Sequence, residues 1–162
     1  MVVGTPCVPM SEQSATFGGS SRQDAELETV PAMTSGSAVC LGFHFQGRVT
    51  CPYGQSADGG SPDGKGCETT GGQPVASAVQ PQCVNRTAAV AVTWSCRCAN
   101  VDGQTGDGPY CNCPMGTTCA QAVSALTSAT SVLSGAYCVP TGSFASADTC
   151  SAECDPVKHP CP

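Results

Sequence analysis

Residues 88–98 read Ala88-Ala-Val-Ala-Val-Thr-Trp-Ser-Cys-Arg-Cys98, and this run decides the fold. Val90, Val92, Trp94, Cys96 and Cys98 fall on one side of an alternating pattern, and Ala89, Ala91, Thr93, Ser95 and Arg97 on the other. A period of two belongs to a strand with one buried face. The run holds the single Trp of the chain, so it is expected at the centre of a β-sheet. It ends in a Cys-x-Cys pair, which ties the strand to the chain's dominant chemical feature.

Upstream, residues 38–51 alternate in the same way, with Val39, Leu41, Phe43 and Phe45 on one face. Gln46-Gly47 follows as a turn, and Cys40 and Cys51 bracket the segment. His44 falls on the opposite face and is expected to meet solvent. Downstream, Thr118-Cys-Ala-Gln121 has the form of a capping box. Val123, Leu126, Ala129 and Val132/Leu133 recur at helical spacing, and Gly135 supplies a C-terminal cap. A helix is therefore expected over about residues 119–133, docked by Cys119 and Cys138. Residues 10–36 are Ser/Gly/Thr-rich and read as a solvated linker or long loop, with a short helical turn around Asp24–Glu28 as the alternative.

The apolar supply is small. The 162 residues include 16 Val, 4 Leu, 4 Phe and no Ile. That is below the roughly 20% of strong core formers at which disorder becomes an issue. Charge does not drive disorder here, because only 11% of residues are charged and the net charge is −6. Fourteen cysteines offset the shortage. They are Cys7, Cys40, Cys51, Cys67, Cys83, Cys96, Cys98, Cys111, Cys113, Cys119, Cys138, Cys150, Cys154 and Cys161. The sequence alone cannot assign their pairing. So many thiols belong in an oxidising space or around a metal.

The fold class that follows is a small disulfide-rich, β-dominated domain with irregular loops and one α-helix. Residues 1–36 read as an N-terminal extended segment or linker tethered by Cys7. Residues 37–162 read as the disulfide-rich β domain with a Cys-rich C-terminal tail.

Residues 57–67 and 101–111 share the pattern Asp-Gly-x-[Ser/Thr]-x-Asp-Gly-x-x-Cys. Asp58 aligns with Asp102, Asp63 with Asp107 and Cys67 with Cys111, all at one offset. Each loop offers two carboxylates, a hydroxyl and free carbonyls, so calcium is one reading of Asp58, Asp63, Asp102 and Asp107. The carboxylates that an EF-hand places between them are missing, and plain turn chemistry is the other reading. Cys96-Arg-Cys98 and Cys111-Asn-Cys113 could hold zinc or copper(I) as thiolates, or could bridge two neighbouring strands near the turn at 101–109.

His44 and His159 are the two histidines, and neither has a catalytic partner in sequence. No nucleophile elbow, phosphate loop or metalloprotease motif occurs. The chain therefore reads as no enzyme, with no catalytic residues and no resident cofactor expected besides the calcium alternative. The six cationic residues form no basic stripe, which argues against nucleic acid. No apolar run is long enough to span a bilayer. Met1–Cys7 lacks the features of a signal peptide, so the chain is expected to be a mature product or a piece of a longer secreted protein.

The stretch Trp94-Ser-Cys96-Arg-Cys98, with Gly106-Asp-Gly-Pro-Tyr-Cys111-Asn-Cys113-Pro-Met-Gly-Thr-Thr-Cys119, Tyr137-Cys138 and Cys154-Asp-Pro156, resembles the Cys-rich tail regions of secreted bacterial surface proteins and lipoproteins. Some of those also carry a von Willebrand factor A-like domain. The Cys-x-Cys-Pro-x-Gly-x-x-Cys run is also similar to epidermal-growth-factor-like modules, without their six-Cys frame. The resemblance covers about residues 94–156 and implies an extracellular or cell-surface disulfide module. The Asp-x-Ser-x-Ser metal motif of the A-like domain is not present, so no adhesion site is carried over.

The expected function is a non-enzymatic structural, adhesive or binding module, part of a larger surface protein or of an extracellular assembly. Its partner is an unnamed protein or surface ligand, and self-assembly is allowed. A metal-binding domain and a secreted small hydrolase or inhibitor are the alternatives.

Overall fold

The computed structural model describes residues 2–21, 25–29, 38–55, 66–82, 86–123 and 133–143, with the backbone alone for 25–27 and 29. Five strands form one sheet: β1 (Ala25–Thr29), β2 (Ala38–Phe43), β3 (Val92–Ala99), β4 (Thr117–Val123) and β5 (Gly135–Pro140). Their order is β1-β2-β3-β5-β4, and every pairing is antiparallel. The one α-helix among the described residues is α1, a single turn at Ala88–Ala91. A 3-10 turn covers Met10–Gln13. The disulfide-rich, β-dominated class read from the sequence is the class observed.

β3 is the central strand. β2 pairs with its first half, Cys40 facing Trp94, and β5 with its second half, Tyr137 facing Arg97. Residues 4–7 also lie along β3. Trp94 accepts from the Gly4 N–H and donates to the Thr5 carbonyl, and the Cys7 N–H donates to the Val92 carbonyl. The Cys7–Cys40 disulfide fixes this segment, so Cys7 tethers the N-terminus as its position suggests.

Alternation sorts the buried side chains onto two faces. On one, Val39, Leu41 and Phe43 of β2 meet Tyr137 and Val139 of β5 and Ala122 and Val123 of β4. On the other lie two clusters: Cys40 with Cys7, Phe45, Ala91 and Val92, and Cys96, Cys98, Ala99, Ala136 and Cys138. The second face is largely sulfur.

Several sequence expectations are corrected. Thr117–Val123 is strand β4 and not the start of a helix over 119–133; residues 124–132 lie outside the described residues. Cross-strand pairing with β5 and the bridge from Cys119 outweigh the local capping pattern, and Thr117 and Thr118 suit a strand. Val90 lies in the α1 turn and is exposed, so the predicted strand begins four residues late, at Val92. Alternation in β2 stops at Phe43. His44 turns the chain with a φ of 47° and carries Phe45 into the second cluster. His44 itself is half-buried with its ring edge-on to Phe43 at 4.2 Å, and is no solvent-facing strand residue. Within 10–36, Met10–Gln13 is helical, and Ala25–Thr29 pairs with β2 as an edge strand.

Buried arginines organise the loops. Arg48 is 0% exposed. Its Nη1 donates to the carbonyls of Ser14 (3.0 Å) and Phe17 (2.9 Å), and its Nη2 to the carbonyl of Glu12. The Glu12 carboxylate, also fully buried, accepts the Val49 N–H through both oxygens at 3.0 and 3.1 Å. Arg86 donates to the carbonyls of Ser143 (3.0 Å) and His44 (2.8 Å) and also to that of Phe43. Burial lowers its pKa to about 10, so it stays charged at neutral pH. Each guanidinium thus ties backbone carbonyls of separate loops together through charge-assisted bonds.

Removing Arg48 deletes three hydrogen bonds to backbone carbonyls at once, the Ser14 carbonyl keeping the Phe17 N–H. Arg48→Ala is expected to cost about 3 kcal/mol or more, read as a lower urea midpoint with an unchanged slope. A midpoint equal to wild type would contradict the role given to Arg48.

Candidate functional site

The strand period explains how six sulfurs come together. Cys96 and Cys98 are two residues apart on β3 and so point to one face. Cys138 on β5 points to the same face. Cys119 on β4 lies directly opposite Cys138 in register. Cys111 and Cys113 come from the extended run after the 100–110 loop, where the Cys111 N–H donates to the Arg97 carbonyl at 3.0 Å. The bonds formed are Cys96–Cys111, Cys98–Cys119 and Cys113–Cys138.

Cys98–Cys119 joins strands that β5 separates, yet its Cα atoms are 6.0 Å apart. Two strand spacings in a flat sheet would put them about 9.5 Å apart. The sheet is therefore sharply curled here, with irregular register between Arg97 and Ala99 and between Gln121 and Val123. Gly135 allows this: a side chain there would meet the Ala99 carbonyl at 2.4 Å, and its φ is 141°.

The sulfurs form two groups of three. Those of Cys96, Cys111 and Cys138 lie within 4.8 Å of one another, as do those of Cys98, Cys113 and Cys119. Cys138 Sγ sits 3.9 Å from Cys96 Sγ and 3.6 Å from Cys111 Sγ without being bonded to either. These are non-bonded sulfur contacts, since neither partner carries a proton in a disulfide. The Cys113–Cys138 bond links the two groups into one body. Exposure runs from Cys119, which is exposed, through half-buried Cys111 and Cys113, to Cys138, which is 0% exposed.

Beside this nest the second Asp-Gly loop is held by its own side chains. Asn100 Oδ1 accepts the N–H of Asp102 (2.9 Å) and of Gln104 (2.8 Å). Asp107 accepts from the Tyr110 hydroxyl (2.6 Å) and from Asn100 Nδ2 (2.9 Å). The Arg97 guanidinium stacks 5.2 Å over the Tyr110 ring. The hydrogen bonds from Tyr110 and Asn100 hold the Asp107 carboxyl below the usual range, and the same bond pushes the Tyr110 phenol up.

Of the proposed calcium ligands, Asp102 and Asp107 share this loop. Among the described residues neither belongs to a group of three ligating side chains. Asp58 and Asp63 lie outside the described residues, as do Cys83, Cys150, Cys154, Cys161 and His159. The two repeat cysteines do behave alike. Cys67 bonds Cys51, 16 residues before it, and Cys111 bonds Cys96, 15 residues before it. With Cys7–Cys40 this makes five disulfides, and no cysteine among the described residues is free. That pattern is consistent with an oxidising compartment. The buried roles of Glu12, Arg48 and Arg86 carry no sequence signal, since scattered single charges usually face water.

A depressed carboxyl pKa contributes stability that is present above the ordinary value of about 3.9 and lost as pH falls through the folded value. The side-chain amide protons of Asn100 should therefore titrate with a midpoint below about 3.9 in an NMR series, and not titrate in Asp107→Asn. A midpoint at or above the ordinary value would contradict this loop geometry. No protein-family model, curated protein or solved structure matches the chain, so its function is read from this geometry.

Proposed function

We propose that the chain is a non-enzymatic extracellular module, a disulfide-stapled structural or binding unit of a larger surface protein or extracellular assembly. The observation that carries the reading is the sulfur face of the sheet. Cys40, Cys96, Cys98 and Cys138 are buried where an intracellular domain of this size would place Leu and Ile. Each bridge of 15 to 33 residues contributes on the order of 3 kcal/mol by restricting the unfolded chain. A chain with so few strong core formers depends on that contribution, and reducing compartments would remove it. No helix of the described residues is long and apolar enough to cross a membrane. Contact with a cell surface would then run through a partner or a covalent neighbour.

The sulfur triads support a second reading. In a reduced chain, Cys96, Cys111 and Cys138, and Cys98, Cys113 and Cys119, would present two sets of three thiolates. Three thiolates suit zinc with one further ligand, or copper(I). Intact mass of protein secreted into an oxidising medium decides between the two readings. The extracellular module predicts a deficit of about 2 Da for every cystine formed, about 10 Da for these five, and no bound metal. Thiols that alkylate without prior reduction, together with co-purifying zinc or copper, would overturn it in favour of the metal domain.

A further inference from the structure

We propose that Cys98, Cys113, Cys119 and Cys138 form a redox-gated zinc site, held as two cystines in the oxidised chain and converted by a small thiol and zinc into four thiolate ligands. The proposal rests on the oxidised form put forward above. It deepens the thiolate reading by naming the fourth ligand and the condition for loading. The placement of the four residues carries it. Cys98, Cys138 and Cys119 stand on the neighbouring strands β3, β5 and β4, with Cys119 directly opposite Cys138. The curl of the sheet brings the outer two, Cys98 and Cys119, to a Cα separation of 6.0 Å. Three sulfurs therefore rise from one curled patch of sheet. Cys113 reaches them from the 111–113 run, its Cα 5.4 Å from that of Cys138. Its sulfur lies within 4.8 Å of the sulfurs of both Cys98 and Cys119. Tetrahedral zinc with sulfur ligands at about 2.3 Å sets them about 3.8 Å apart. Cys113 thus stands no more than about 1 Å beyond ligand spacing from both before either bond opens.

The third cystine of the nest stays closed. Cys96 is 7% exposed and Cys111 half-buried, whereas Cys119 is exposed, so reagent and ion reach the nest at Cys119. Kept closed, Cys96–Cys111 holds the 111–113 run against β3, beside the bond from the Cys111 N–H to the Arg97 carbonyl. Cys113 then remains over the other three ligands. Loading takes four electrons, supplied by four molecules of a small thiol such as glutathione. One external thiolate attacks Cys119 Sγ and expels Cys98. A second attacks the external sulfur of that mixed disulfide, frees Cys119 and leaves as the oxidised small-molecule disulfide. Two more do the same at half-buried Cys113 and expel Cys138. No sulfur of the protein attacks another. Zinc binding to the four thiols releases four protons. Burial disfavours bare thiolates at Cys98 and Cys138, and zinc holds a coordinating thiol in its deprotonated form. The metal therefore draws the reduction forward, and the two bridges open more readily with zinc than with the thiol alone.

The test uses the oxidised wild-type chain. It is equilibrated in glutathione buffers of rising reduced-to-oxidised ratio, with and without one equivalent of zinc. Each sample is quenched in acid, alkylated, digested without further reduction and mapped, and bound zinc is counted by native mass. The proposal predicts that zinc moves the opening of Cys98–Cys119 and Cys113–Cys138 to a lower ratio. The alkyl groups then appear together on those four cysteines, one zinc stays on each chain, and Cys96–Cys111 remains bridged. Opening at the same ratio with and without zinc, no zinc retained, or zinc retained only once Cys96–Cys111 has opened overturns it. Paired variants give a second measurement under the same conditions. Cys96→Ala with Cys111→Ala should still take up one zinc, and Cys113→Ala with Cys138→Ala should take up none; the reverse order would sink the proposal. An intact mass showing no cystine in the starting protein would instead strike the extracellular reading itself.

Discussion

The Cys113–Cys138 bond is the constraint on which the rest of the sheet depends. Cys138 is wholly buried in the middle of β5, and β5 lies between β3 and β4. Its bond to Cys113 presses the returning 111–113 run onto the sheet, and its sulfur touches the Cys96–Cys111 bridge. Cys98–Cys119 then closes across β5 and curls the sheet. Three covalent ties therefore meet on one face of the sheet. Sulfur packs as a small hydrophobe, so the nest serves at once as core and as cross-link.

The same economy of apolar residues explains the arginines. Where side-chain hydrocarbon is short, backbone has to be buried against backbone, and its carbonyls need donors. Arg48 and Arg86 each reach carbonyls 31 or more residues away in sequence. Their stems add hydrocarbon while their guanidinium groups pair with backbone oxygen, and Phe17 and Phe43 lie close to those groups. One part of the molecule is thus tied by sulfur and the other by guanidinium. The β2 strand belongs to both, through Cys40 at its centre and Phe43 at its end.

How far the sequence could be read follows from the range of each signal. Alternation is local, so β2 and the sulfur side of β3 were legible, including Val92, Cys96 and Cys98 on one face and the central place of β3. Disulfides near the turn at 101–109 were one reading of the two Cys-x-Cys pairs, but the partner of each cysteine, Cys96 for Cys111 among them, was not legible. The capping box at Thr118–Gln121 was a true local pattern with the wrong outcome, because the register with β5 and the bridge to Cys98 act from far along the chain. The Ala-rich start at 88–91 satisfies a helical turn as readily as a strand, and alanine carries little face preference. Ala25–Thr29 gives too short an alternation to stand out from a polar stretch. The convergence of two Cys-x-Cys pairs with Cys119 and Cys138 was beyond sequence, since pairing is a property of the folded sheet. The cysteines themselves were named, but not the nest.

Amide hydrogen exchange on β3 and β5, compared between oxidised protein and protein held in excess dithiol, tests the central claim most directly. If the sulfur nest stands in for an apolar core, the amides of Cys96, Cys98, Tyr137 and Val139 lose their protection on reduction and exchange with the loops. Protection that survives reduction in these strands would show that the modest apolar face of Val39, Leu41, Phe43, Tyr137 and Val139 suffices alone, and would contradict the account.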